Sequence, residues 1–252
     1  MDDLDGVRAL ITGGTSGLGR TMAAALVEAG ARVAVTGRSP DRVAAAAREL
    51  GGGTIGIAMD SRNERSVDDG TAAAWDALGG IGLLVNNAGI GMRTVNPEFM
   101  TRPQGFWEVS PDGFRDVVDT NLTGYFLVAR SVVPRMLDAG AGRVITISMN
   151  HGTMNRRGFV PYGPSRAGAE ALARIMAADL ADTPVRANIL LPGGATDTGM
   201  LTGTARPDGL AVLPADVVRE PIRWLASEEA ADVHDERIVA TEFADWLTAR
   251  RS

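Results

Sequence analysis

Apolar and polar positions along the chain follow two alternating periods. Short runs rich in Val, Ile and Leu are separated by longer stretches whose apolar residues recur every three or four positions, the marks of buried strands and amphipathic helices. Val7 to Thr12 reads as a strand. A Gly-rich turn follows, then a helix from about Ser16 to Ala29 with Gly30 as its C-terminal cap. Arg32 to Thr36 is a second strand. Ser39-Pro40 sets an N-cap and a first-turn proline for a helix that runs to Leu50 and stops at Gly51-Gly52-Gly53. Thr54 to Ala58, Leu83 to Asn86, Arg143 to Ser148 and Arg186 to Leu191 are further strands, and Arg237 to Ala240 a short last one. Helices are expected over Ser66 to Leu78, Asp112 to Leu137, Tyr162 to Leu180, Pro214 to Ala226 and Phe243 to Arg250, with Pro134 the place for a bend in the longest. Gly91 to Ser110 and Pro192 to Leu213 fit neither period and read as loops.

Strand–helix alternation without a repeat or a linker predicts one α/β domain over residues 1–252. Its core is a doubly wound parallel sheet with helices on both faces. In such sheets ligands bind at the carboxyl ends of the strands. Composition then narrows the chemistry. A net charge of −6 argues against a nucleic-acid binder or a basic membrane binder. No apolar run approaches the ~20 residues of a membrane span, and the acidic start Met1-Asp2-Asp3-Leu4-Asp5 does not read as a signal peptide. With no cysteine, disulfides and thiolate chemistry are excluded, which suits a cytoplasmic protein. All 25 basic residues are arginine, so no lysine amine is available as base or Schiff-base former. The acid–base inventory is short: His151, His234, Tyr125 and Tyr162 besides the carboxylates. No cluster of metal ligands is apparent.

The first strand runs into Thr12-Gly13-Gly14-Thr15-Ser16-Gly17-Leu18-Gly19-Arg20. Glycines there allow a tight turn and close approach of a pyrophosphate, onto which the next helix directs its free N–H groups. With Thr12, Gly13, Gly17 and Gly19, this segment matches the T-G-x-x-x-G-x-G signature of the short-chain dehydrogenase/reductase family, which the chain resembles. Asn86-Asn87-Ala88-Gly89, Asn121, Tyr162 and Pro192-Gly193 follow in that family's order. The resemblance implies a single-domain Rossmann-type fold and a nicotinamide cofactor. It puts Thr15, Ser16 and Leu18 at the phosphates, Asp60 and Ser61 beside the adenine, and Asn87, Ala88 and Gly89 along a ribose. Pro192 and Gly193 meet the nicotinamide, together with Thr196 or Thr198. Between Thr36 and Pro40, the carboxylate that would select NAD(H) is replaced by Arg38 and Ser39. A guanidinium suits a 2′-phosphate, so NADP(H) is expected ahead of NAD(H).

The resemblance also implies a carbonyl–hydroxyl oxidoreductase in which Tyr162 is the acid/base and Asn121 supports a water and the neighbouring cation. Free tyrosine titrates near pH ~10, so a fixed cation is needed beside it. The family's lysine is here Arg166, on the same helix face as Tyr162 at i and i+4. Arginine supplies charge but never deprotonates. The family's serine is replaced by Met149, which cannot donate to a substrate oxygen. Ser148 is the nearest hydroxyl but points to the other face of a regular strand; a bulge, Asn150 or His151 are the alternatives. An apolar substrate pocket is expected around Trp107, Met149, Met154, Phe159 and Met200, with Arg156 and Arg157 placed to read an anion. His234 sits in an acidic run and is expected at the surface. The family's habit implies a homo-oligomer, tetramer or dimer, through the long helices. The altered tetrad leaves two other readings beside a working oxidoreductase: a cofactor-bearing dehydratase, isomerase or cyclase, or a non-catalytic nucleotide-binding protein.

Overall fold

The structure is a computed structural model that describes residues 4–201, 203, 205 and 207–251. Met1 to Asp3 of the acidic start, and Thr202, Thr204 and Arg206 of the loop expected to frame the pocket, lie outside the described residues. Seven strands form one parallel sheet in the order β3-β2-β1-β4-β5-β6-β7. They are β1 Arg8–Ile11, β2 Arg32–Gly37, β3 Ile55–Ala58, β4 Leu83–Asn86, β5 Gly142–Ile147, β6 Val185–Leu191 and β7 Arg237–Val239. The helices are α1 Gly17–Glu28, α2 Pro40–Leu50, α3 Glu64–Leu78, α4 Pro111–Val118, α5 Gly124–Asp138, α6 His151–Met154, α7 Tyr162–Asp179, α8 Arg219–Ala226 and α9 Phe243–Arg251.

Side chains alternate across each strand, so every central strand feeds two cores. Ile11, Val33, Val35, Val85 and Ile145 pack with Met22 and Leu26 of α1 and with Trp224 and Leu225 of α8. Leu10, Ala34, Leu84 and Val144 pack the other way, against α3, α5 and α7 through Val67, Leu78, Val132 and Met136. Burying such side chains on both faces, at roughly 1.5–3 kcal/mol each, is what makes the sheet's apolar runs continuous. Strand order reverses between β1 and β4, and the crevice opens at their carboxyl ends.

Three differences from the sequence reading bear on the site. The helix expected over Asp112 to Leu137 is interrupted, and not at Pro134: a π-helical turn at Asp119–Thr123 separates α4 from α5, while Pro134 lies inside α5. Asn121 lies in that turn and its side chain bonds outside the helix (below); π turns often mark functional positions. Second, α3 begins earlier than expected, because Asn63 caps it by accepting from the Ser66 N–H at 2.9 Å. Third, His151 to Met154 forms a short helical turn in a segment expected to be loop.

β7 is tied to the sheet by Asn188 of β6. Its side chain donates to the Val233 carbonyl at 2.8 Å and accepts from the Glu236 N–H at 3.0 Å. Replacing Asn188 with Ala leaves two backbone groups unmet in a buried place. Equilibrium urea unfolding should show a loss of about 2 kcal/mol or more with little change in slope.

Candidate active site

The site is a cavity of about 1040 Å³ at the carboxyl ends of the central strands. Its floor is the turn between β1 and α1. Gly13 there has φ +67°, and a Cβ on it would stand 2.8 Å from Ala88 Cα, so the turn can lie against the β4 exit only as glycine. Thr12 locks the two strand ends together. Its hydroxyl accepts from the N–H groups of Asn87 at 2.9 Å and Ala88 at 3.0 Å, and Asn87 Nδ2 returns a bond to the Thr12 carbonyl at 2.9 Å. The α1 terminus is uncapped: Ser16 makes no side-chain capping bond and the first turn carries no carboxylate. Those free N–H groups face the cavity as an anion site.

Most of the residues expected at the cofactor line this cavity: Gly13, Thr15, Ser16, Gly17, Leu18, Gly19, Arg38, Ser39, Asp60, Ser61, Asn87, Ala88, Gly89, Tyr162, Arg166, Pro192, Gly193, Thr196 and Thr198. Both Thr196 and Thr198 are there; the Thr196 hydroxyl is turned to the Gly194 carbonyl at 3.1 Å. Asp60 is gripped by Arg62, with its oxygens 2.8 and 3.1 Å from the guanidinium. Those bonds hold its carboxyl below the usual carboxylate range against the opposing effect of burial. Arg42 also lines the cavity beside Arg38 and Ser39 and was not singled out in the sequence. Its place one turn into α2 was the available signal.

Arg166 is the feature the sequence left open. It is 3% exposed and has no carboxylate partner among the described residues. Nη1 donates to the Tyr125 hydroxyl at 2.6 Å and to the Ile147 carbonyl at 3.1 Å. The guanidinium carbon lies 5.3 Å from the Tyr162 ring centre and 5.6 Å from that of Tyr125, so two phenol rings flank the charge. Burial works against the Arg166 charge, but the two phenols outweigh it and the net direction is upward. Burial in turn pushes the Tyr125 phenol up, opposed by Arg166. A Cβ on Gly89 would meet Arg166 Nη2 at 2.4 Å, which is why the β4 exit is glycine there. Tyr125, one turn beyond Asn121, was only an inventory residue in the sequence; nothing local links it to position 166.

Asn121 does not touch Arg166 through any of its bonds. Its side chain holds Ile90 from both sides, accepting from the N–H at 2.9 Å and donating to the carbonyl at 3.0 Å, and also donates to Ser165 Oγ at 3.1 Å. It is fully buried and braces the β4 exit against α7 instead of lining the cavity.

On the substrate side, Met149, Asn150, Phe159 and Met200 line the cavity, and the Tyr162 hydroxyl points at Met200 Sδ at 3.8 Å. Three expectations are corrected. Trp107 stands 77% exposed on the surface, stacked edge-on against Phe106, because its short helical turn faces outward. Met154 is buried beneath α6 and does not reach the cavity. His151 turns its ring away to Glu170 Oε1 at 2.8 Å. Ser148 reaches the cavity, but its hydroxyl donates to Glu170 Oε2 at 2.5 Å, so its one proton is committed and cannot go to a substrate oxygen. Glu170 also accepts from Arg237 Nε at 2.7 Å, and Arg237 Nη2 donates to the Met149 carbonyl at 3.0 Å. Burial pushes the Glu170 carboxyl up, yet the bonds from Ser148, Arg237 and His151 prevail and hold it down. Asn150 Nδ2 donates to the Gly193 carbonyl at 2.7 Å, joining the two walls. His234, expected at the surface, is instead half-buried and bridges the Ala187 N–H and the Ala177 carbonyl.

Known proteins are similar to this chain over most of its length. The family model described as short chain dehydrogenase matches residues 8–208. The 3-oxoacyl-(acyl-carrier-protein) reductase FabG of Vibrio harveyi is 32% identical over 244 residues, 94% of this chain and 96% of that protein. The 2,5-dichloro-2,5-cyclohexadiene-1,4-diol dehydrogenase LinX of Sphingobium indicum is 32% identical over 240 residues, 90% of this chain and 91% of that protein. Among solved structures, the 3-ketoacyl-(acyl-carrier-protein) reductase of Brucella melitensis complexed with NADH superposes with a TM-score of 0.83 at 28% identity, covering 94% of this chain and 97% of that one.

Two expected outcomes follow from the polar groups. Tyr125→Phe removes the partner of a buried cation and should lower unfolding free energy by about 1–3 kcal/mol in urea titrations. Glu170→Gln should destabilise at neutral pH. Because the native carboxyl lies below its unfolded value, that deficit is full above pH ~4.3 and should shrink as pH falls through the native value. Urea midpoints of both proteins between neutral and acid pH measure it.

Proposed function

Because the chain belongs to the short-chain dehydrogenase family, whose members bind nicotinamide cofactors and act as oxidoreductases, we propose that it interconverts a carbonyl and a hydroxyl on a small, largely apolar substrate with NADP(H). One observation carries the reading: Tyr162 and a buried cation stand together on the wall of a cavity whose other end is an uncapped helix terminus at a Gly-rich turn. The residues present fit such a cofactor. The Gly13 turn would be closed by any Cβ, and Arg166 Nε is a buried donor with no partner among the described residues. When bound, the cofactor supplies or takes up a hydride. Tyr162 donates its phenolic proton to the carbonyl oxygen in reduction and takes it back in oxidation. Arg166 holds positive charge against the Tyr162 ring and favours the phenolate that remains. Because a guanidinium does not release a proton, Tyr162 is reprotonated from solvent and not through Arg166.

Arg38 and Arg42 form no ion pair among the described residues and line the cavity where β2 ends, which supports a 2′-phosphate there and hence NADP(H). Phe114, Phe126 and Ile175 are exposed on α4, α5 and α7, and this apolar face supports a homo-oligomer across those helices. Work in a reducing cytoplasm suits a chain with no cysteine. The missing hydroxyl at Met149 and the committed Ser148 proton favour a second reading, a dehydratase, isomerase or cyclase that retains the cofactor without net redox change.

Tyr162→Phe should lower kcat on carbonyl substrates by about 100-fold or more, with nucleotide affinity little changed. NADPH consumption and fluorescence titration measure the two. Nucleotide binding without consumption on any carbonyl or alcohol would overturn the oxidoreductase reading. Replacing Arg38 and Arg42 with Ala should weaken NADPH about tenfold or more and NADH far less; equal losses for both nucleotides would overturn the NADP(H) assignment.

A further inference from the structure

The charges on the cavity wall are sorted by position. Among the described residues lining it, the only carboxylate is Asp60, beyond β3, and Arg62 neutralises it at 2.8 Å. At the opposite end, around Met92, Phe99, Phe159 and Met200, stand Arg93 and Arg156 with no acid near them on the wall. Arg93 donates from Nη1 only to the Gly199 carbonyl, at 3.2 Å. Arg156 rests its guanidinium 5.2 Å from the centre of the Phe159 ring. Neither forms an ion pair among the described residues.

Lack of partners does not explain this. The chain has 31 Asp and Glu against 25 Arg, so carboxylates are in excess. Several arginines elsewhere do find them: Arg20 with Glu49 at 2.6 Å, Arg62 with Asp60, Arg130 with Glu64 at 2.6 Å and Arg237 with Glu170 at 2.7 Å. Two unpaired cations facing one apolar cavity leave a positive potential that an anion would neutralise. The same cavity has a second unpaired pair, Arg38 and Arg42, at the end assigned to the cofactor's 2′-phosphate. Arg93 and Arg156 are therefore left over on the substrate side.

We infer that Arg93 and Arg156 bind an anionic group of the substrate, which is an apolar carbonyl compound or alcohol carrying a carboxylate or a phosphate ester away from its reacting carbon. The inference rests on the oxidoreductase reading of this site. Met92, Phe99, Phe159 and Leu201 bury together beside the reacting Tyr162 and contact the apolar body. The two guanidinium groups then fix its far end, and the stacking of Arg156 on Phe159 restricts how that group can swing. Because the contact is made to a part of the substrate that does not react, it strengthens ground state and transition state alike and acts through KM.

The test uses three matched substrates: an apolar keto acid, its methyl ester, and the phosphate monoester of the corresponding hydroxy ketone. With wild-type protein, the acid or the phosphate should exceed the ester about tenfold or more in kcat/KM, the gain lying in KM and shrinking as salt is raised. Which of the two exceeds it identifies the anion. Arg93→Ala with Arg156→Ala should bring the ratio close to one, whereas Arg157→Ala, a neighbour off the cavity, should preserve it. A second measurement does not need turnover. Calorimetric binding of octanoate and of octanamide, with and without NADPH, should favour octanoate about tenfold or more, and the double variant should erase that preference. Equal use of acid, phosphate and ester, equal binding of octanoate and octanamide, or a preference that survives the double variant overturns the inference. Octanoate selectivity with no carbonyl reduced would instead overturn the oxidoreductase reading alone.

Discussion

A guanidinium enclosed without a counter-ion is the constraint around which this molecule is organised. An ion taken out of water costs several kcal/mol unless its surroundings replace the lost solvation. Here the replacement is two phenol rings, one hydroxyl and one strand-end carbonyl around Arg166. Each lies on a different element: Tyr125 in α5, Ile147 at the end of β5, Tyr162 in the same helix as Arg166. These groups together surround the charge, so the β5 end, α5 and the placement of Tyr162 share one contact set. A carboxylate partner would have been the ordinary solution, but it would also have cancelled the charge that stands beside the Tyr162 ring.

The same economy of elements appears around the crevice. Thr12 and Asn87 hold the exits of β1 and β4 together, and Asn121, pulled out of its helix by a π turn, holds the next residues of the β4 exit. Glu170 gathers Ser148, His151 and Arg237, and through Arg237 it fixes the backbone of Met149. Several groups that looked available for chemistry in the sequence are thus structural supports, and Tyr162, Asn150 and apolar side chains remain on that part of the cavity wall. Arg38 and Arg42 lie toward one end of the cavity and Arg93 and Arg156 toward the other, each without an ion pair among the described residues, in an otherwise acidic protein.

Much of this was legible in the sequence for local reasons. Strand and helix periods, the Gly-rich turn after the first strand, the Ser39-Pro40 cap and the i, i+4 placement of Tyr162 and Arg166 depend on residues close in the chain. The alternation of short apolar runs with amphipathic stretches points to a parallel α/β sheet with ligands at the carboxyl ends of its strands; the structure adds that the order reverses between β1 and β4.

What the tertiary structure decided are the relations between distant positions. Position 125 meets 166, 148 meets 170, and 121 meets 90, each across a sheet crossover that no local period records. The break in the long helix falls at the turn that holds Asn121, whose side chain bonds to Ile90 outside the helix, and not at Pro134. Trp107 and His151 left the cavity for the same reason: a side chain's direction is set by the partner it finds. The sequence by itself determined which elements form and where a ligand can sit. Only the folded chain decided which polar groups remain free to act, since burial presses most of the others to be satisfied by whatever lies across the fold.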